Sequence, residues 1–177
     1  PAGWNVMPGT ANVFGVPTNP KASVGYRVCD GTEGASITVT SVNSVISGHS
    51  ASAYSGVDNT TPIDVNATTN GSATAGTTDT ATNITTVTNN AWVIGGAMSN
   101  GSTGSFTTGW TTPTGTERTD VQNGQATGSG KNCTLSDSNG AFATGTTATI
   151  TWTSSTSLAW VAWLTALRPA AAGSVSP

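Results

Sequence analysis

Thr147-Ala148-Thr149-Ile150-Thr151-Trp152-Thr153 is the stretch that decides the fold class. Ala148, Ile150 and Trp152 alternate with threonine, and a period of two puts them on one face of a strand with threonine on the other. Ser36-Ile37-Thr38-Val39-Thr40 has the same rhythm. One face toward a core and one toward water is the pattern of antiparallel sheets.

Working outward, Leu158 to Leu167 fits two periods. Trp160, Trp163, Leu164 and Leu167 would make a helical stripe. Leu158, Trp160, Ala162 and Leu164 equally share one strand face, with Val161 and Trp163 on the other. A strand apolar on both faces belongs in the middle of a sandwich, and Pro169 ends it, so we take the strand. Further strands are expected over Ala22 to Cys29, Val45 to Ser55, Thr80 to Thr88, Ala91 to Met98 and Lys131 to Asp137. Turn sequences separate them at Asp30-Gly31, Asn59 to Pro62, Asn70-Gly71, Asn100-Gly101, Pro113 to Gly115 and Asn139-Gly140.

Composition narrows the function. Of 177 residues 7% are charged, against about a quarter in an ordinary domain, yet 35% are apolar and six are Trp. Such a chain buries a core and folds. Its net charge of -3, with Lys21, Arg27, Arg118, Lys131 and Arg168 scattered singly, offers no footprint for nucleic acid or an anionic membrane. No apolar run approaches the roughly 20 residues of a membrane helix, and no leader pattern opens the chain at Pro1.

The expected fold is all-β: a two-sheet antiparallel β-sandwich, jelly-roll-like, over residues 1–169, with 170–177 a flexible tail. A weak internal repeat links 3–58 with 109–169. Gly3-Trp4 matches Gly109-Trp110, and each half ends in a long apolar strand, Val45 to Tyr54 or Leu158 to Leu167. Thr80 to Phe106 supplies strands ahead of the second unit, and the first has none. Another chain or an N-terminal region is therefore expected to fill an open edge.

With the strands placed, a likeness can be stated. Gly25-Tyr26-Arg27-Val28, Gly31 to Thr40, Ala53-Tyr54-Ser55-Gly56-Val57-Asp58 with Pro62-Ile63-Asp64, and Ala159-Trp160-Val161 leading to Ala166-Leu167-Arg168-Pro169 carry it. In that order, from Trp4 to Pro169, the chain resembles a Thr/Ser/Gly-rich β-sandwich module of tailed-phage structural proteins and secreted bacterial surface proteins. The resemblance implies a virion-surface or extracellular setting and brings no catalytic residues. Cys29 and Cys133 depart from the module's pattern.

Cys29 and Cys133 either form a disulfide, closing a loop worth roughly 4–5 kcal/mol, or are two small apolar residues in separate strands. Asp58 and Asp64 share a loop with Asn59 and could offer oxygens to Ca²⁺; capping of the turn is the plainer reading. His49, the sole histidine, has Ser47 and Ser50 beside it but no nucleophile elbow. Glu117 and Asp120 imitate a glycosidase pair, although Glu117-Arg118 reads better as a surface ion pair. Trp4 and Trp110 are the tryptophans placed to stack on a sugar ring, while Trp152, Trp160 and Trp163 belong to the core. The Thr-x-Thr pairs are too irregular for a flat ice-binding array, and the Asn-x-Ser/Thr sequons follow from composition.

The sequence thus points to a non-enzymatic structural protein without cofactor, a capsid decoration or tail/fibre-associated subunit. Its partners would be copies of itself, other virion or surface structural proteins, and host glycans. A carbohydrate-binding adhesion module and a filament or surface-layer subunit linked by strand donation are the alternatives.

Overall fold

A computed structural model describes residues 3–11, 14–15, 20–39, 47–101, 106–112, 116–122 and 130–171. They form no helix and eleven strands: β1 (Asn5–Val6), β2 (Phe14–Gly15), β3 (Lys21–Ala22), β4 (Gly25–Tyr26), β5 (Ile63–Thr80), β6 (Ile84–Thr85), β7 (Ala91–Asn100), β8 (Phe106–Thr112), β9 (Thr116–Gln122), β10 (Lys131–Phe142) and β11 (Thr147–Leu167). The chain is all-β and its strands pair antiparallel. One seven-stranded sheet runs β5-β11-β7-β10-β9, with β6 and β8 also on β11; β1-β4 and β2-β3 make two short ribbons.

The long strand β11 organises the molecule. Its first part carries the Thr-alternating stretch and pairs with β8, β6 and the end of β5. Its second part lies between β5 and β7. Ladder irregularities between Thr153 and Leu158 bend it, as bulges do. Both parts then point the same residue set inward: Ala148, Ile150 and Trp152 join Trp160, Ala162, Leu164 and Ala166 in one core with Val93, Ala97 and Phe142. The result is sandwich-like, because a single sheet closes over its own buried face. On the opposite face Val161 packs with Ala22, so β11 is covered on both sides.

Tryptophans fit because glycines make room. Gly95 and Gly96 are adjacent in β7, so they face opposite sides of the sheet. A β-carbon on Gly95 would stand 3.2 Å from Trp152 Cη2, and one on Gly96 would stand 2.8 Å from Trp163 Nε1. Trp152 Nε1 donates to Ser136 Oγ at 3.2 Å, which satisfies the indole inside the core.

Several expectations need correction. Asn70-Gly71 is not a turn but lies within β5, where Asn70 Oδ1 accepts from Gly71 N at 2.8 Å and Asn70 Nδ2 donates to Thr80 O. Asn139-Gly140 is a bulge in β10: Asn139 has φ 47°, and the register slips between Asp137 and Ala141. The turn chemistry was present at both sites, and the neighbouring ladders decided its use. Of Ala22 to Cys29 only the last residue of β3 and all of β4 are strand, and of Thr80 to Thr88 only Thr80, which ends β5, and β6. Residues 36–39 and 47–55 form no strand, while 40–46 lie outside the described residues. The two halves therefore differ in form: residues 3–58 give two-residue strands, and 109–169 contain most of β8, all of β9 and β10, and β11. Pro113 to Gly115 and residues 172–177 also lie outside the described residues. Ala170, at the start of the expected tail, donates its N–H to Gly56 O at 2.8 Å.

Candidate functional site

The structure places a cleft of about 610 Å³ between the 51–57 segment and Trp92 of β7, Arg118 and Thr119 of β9, Asp137 of β10 and Leu167 of β11. Gly48 starts this arrangement. It is buried against β10, and a β-carbon there would come 3.2 Å from Lys131 O and 3.3 Å from Cys133 Sγ. Val57 bridges to Pro169, and Asp58 N donates to Arg168 O at 2.9 Å, which pins the other end. Between the two anchors, Tyr54 turns half-buried toward Asp137.

Asp137 is fully buried and would be costly as a lone charge. Arg118 from β9 grips it with both forks: Nε donates to Oδ2 at 2.5 Å and Nη2 to Oδ1 at 2.9 Å. Asn139 N also donates to Asp137 Oδ1. The expected Glu117-Arg118 pair is thereby corrected, because the guanidinium turns to the buried carboxylate, where its charge is needed more. Its hydrogen bond to Asp137 and the negative charge beside it hold Arg118 above its ordinary pKa. Burial, then the Asp137 charge, push the Tyr54 phenol well above the usual tyrosine value.

Arg168 closes the other side of the cleft. Its Nη1 donates to Thr61 Oγ1 at 3.1 Å, and its Nε lies 3.8 Å from Asp64 Oδ1. Asp64 Oδ2 accepts from the N–H groups of Val87 and Thr88. Asp58 Oδ1 accepts from Thr60 N and Thr61 N, and these backbone bonds hold its pKa below the usual carboxylate value. The two carboxylates considered for Ca²⁺ thus cap local backbone and face a guanidinium. Among the described residues no group of three or more His, Cys, Asp and Glu gathers as a metal site.

The other sequence candidates are dispersed. Cys29 is exposed and Cys133 is buried under Gly48, both as free thiols, so of the two readings left open the structure has the unbridged one. Burial raises the Cys133 pKa. His49 is exposed, with Nε2 2.9 Å from Ser47 Oγ. Trp4 is half-buried beside Gly25. Trp110 pairs with Ile150 in β8, and its side chain lies outside the described residues. Glu117 and Asp120 sit on the edge strand β9, opposite Ser136 and Thr134.

Sequence reading missed the cleft, since Tyr54, Trp92, Arg118, Asp137 and Arg168 come from five separate segments. One signal was available. Asp137 ends an expected strand, and a carboxylate buried in a sheet needs one of only five Lys and Arg as a partner. Among the described residues no helix is long and apolar enough to cross a membrane. No protein-family model matches the chain, and no curated protein or solved structure matches it either.

Proposed function

We propose that this chain is a non-enzymatic structural subunit on the exterior of a phage particle, either a capsid decoration or a tail/fibre-associated protein. It would work by joining its own strand-patterned surface to neighbouring chains. One observation carries the reading. Ile37 and Val39 are 54% and 51% exposed, in a segment that alternates like a strand yet lies in no described strand. Apolar residues held in a sheet rhythm and left in water gain most by adding to another sheet.

The same chain carries a sheet edge for such a segment. β9 ends the strand order of the large sheet and pairs with β10. Its Glu117, Arg118 and Asp120 make indiscriminate pairing costly, which suits an assembly that must select its partner. Copies of this chain, holding both a segment and an edge, are the first partners; other structural chains of the particle or surface come next. The low charge supports the reading, since contacts built on threonine and backbone are insensitive to salt.

Sedimentation of the parent chain and the Ile37→Lys/Val39→Lys variant from micromolar to millimolar concentration tests this. Both residues are exposed, so the variant folds. The parent is expected to associate as concentration rises and the variant to stay monomeric. A parent that remains monomeric throughout contradicts the proposal.

A further inference from the structure

Where β7 ends and β10 begins, the sheet brings together two side chains able to react with one another. Asn100 and Lys131 stand directly opposite in the antiparallel ladder, so both side chains leave the same face of the sheet. Lys131 Nζ donates to Asn100 Oδ1, which sets an amine against a carboxamide. Both residues are half-buried. Met98 and Cys133 continue the same face, and Gly48 crosses it, where a β-carbon would stand 3.2 Å from Lys131 O.

These surroundings favour one reaction. Burial lowers the Lys131 pKa and so raises the share of neutral amine, the form that attacks a carbonyl carbon. Asn100 is followed by Gly101, whose backbone nitrogen could attack Cγ instead and close a succinimide. The ladder restrains that route, because Gly101 is buried and its N–H donates to Gly130 O at 2.9 Å. The lysine amine is the nucleophile left in position. Holding it against the carboxamide replaces a bimolecular encounter, and well-oriented pairs reach effective molarities on the order of 10⁵ M or more.

We propose that Lys131 and Asn100 condense to an isopeptide bond that staples β7 to β10. Nζ adds to Asn100 Cγ, the Cγ–Nδ2 bond breaks, and Nδ2 leaves as ammonia. One Nζ proton passes through solvent to the departing nitrogen, so no oxidant, cofactor or further reactant is consumed. The new amide closes the chain between residues 100 and 131, a span that contains β8 and β9. It ties β7 and β10 together however copies of the chain assemble, so the inference does not rest on the assembly reading.

Intact-mass spectrometry and peptide mapping test it, on the chain as purified and after a week in mildly alkaline buffer. The mass is expected to fall by one ammonia. Trypsin should fail to cut after Lys131 and should leave one branched peptide carrying both Asn100 and Lys131. Lys131→Arg, which keeps the charge without the reactive amine, and Asn100→Ala should each give no branched peptide. A succinimide loses the same mass but joins no peptides, so the map separates the two. Because the map is read on the unaltered chain, the test stands even if a variant fails to fold. Complete cleavage after Lys131 with no branched peptide overturns the inference, whatever the intact mass.

Discussion

The indole of Trp152 lies across Gly95, with Cη2 3.2 Å from where a β-carbon on that glycine would stand. The same β-carbon would come 2.7 Å from Trp163 O, which is backbone and cannot swing away. Gly95→Ala therefore has to shift either the β7–β11 ladder or the core. A loss of about 1–3 kcal/mol is expected from overpacking. Gly34→Ala, where nothing lies within 4 Å, should change stability by less than about 0.5 kcal/mol. Urea unfolding of both variants checks the contrast.

Asp79 makes stability depend on pH in an unusual direction. It is fully buried on β5 opposite Trp152, both its oxygens lack partners, and burial raises its pKa from 3.8 to about 7. Below pH 3.8 the carboxyl is protonated in both folded and unfolded chains and contributes no penalty. As pH rises the unfolded chain ionises first, so stability falls, and the loss is complete above about 7. The total is on the order of a few kcal/mol. Asp79→Asn should remove this slope and stabilise the protein at pH 8, as read by thermal unfolding across the pH range.

Arg118 and Asp137 form one unit, and breaking it from either side has unequal consequences. Arg118→Gln leaves a fully buried carboxylate unpaired and is expected to cost about 3 kcal/mol or more. Adding Asp137→Asn to that variant should restore much of the loss, since the stranded charge is then gone. A double-mutant cycle in urea measures the coupling.

The two thiols should react as unlike groups. Cys29 is exposed, and Cys133 is buried with its pKa raised by desolvation. A thiol reagent at neutral pH should modify one cysteine quickly and the second on unfolding. Reducing agent should leave the melting temperature unchanged.

Much of the fold was legible because apolar spacing fixes a strand's faces wherever a core lies beside it. The Ala148, Ile150, Trp152 set entered the core as the alternation predicts, and Leu158 to Leu167 proved a strand apolar on both sides. Ile63 to Thr80 was overlooked because its threonines, glycines and Asn70-Gly71 resemble a loop, and its pairing comes from β11 rather than from its own propensity. Ser36 to Thr40 failed in the opposite sense. Its rhythm is that of a strand, but residues 36–39 find no partner among the described residues. The cleft was illegible because it depends on contacts such as Arg118 with Asp137, which only the folded ladder of β9 and β10 creates.

Amide hydrogen exchange at residues 36–39, compared between dilute and concentrated protein, tests the assembly account most directly. The account predicts rapid exchange in the dilute monomer and strong protection of these amides once copies associate, with Ile37→Lys/Val39→Lys abolishing the protection. Associated protein whose 36–39 amides exchange as fast as in the monomer would contradict it.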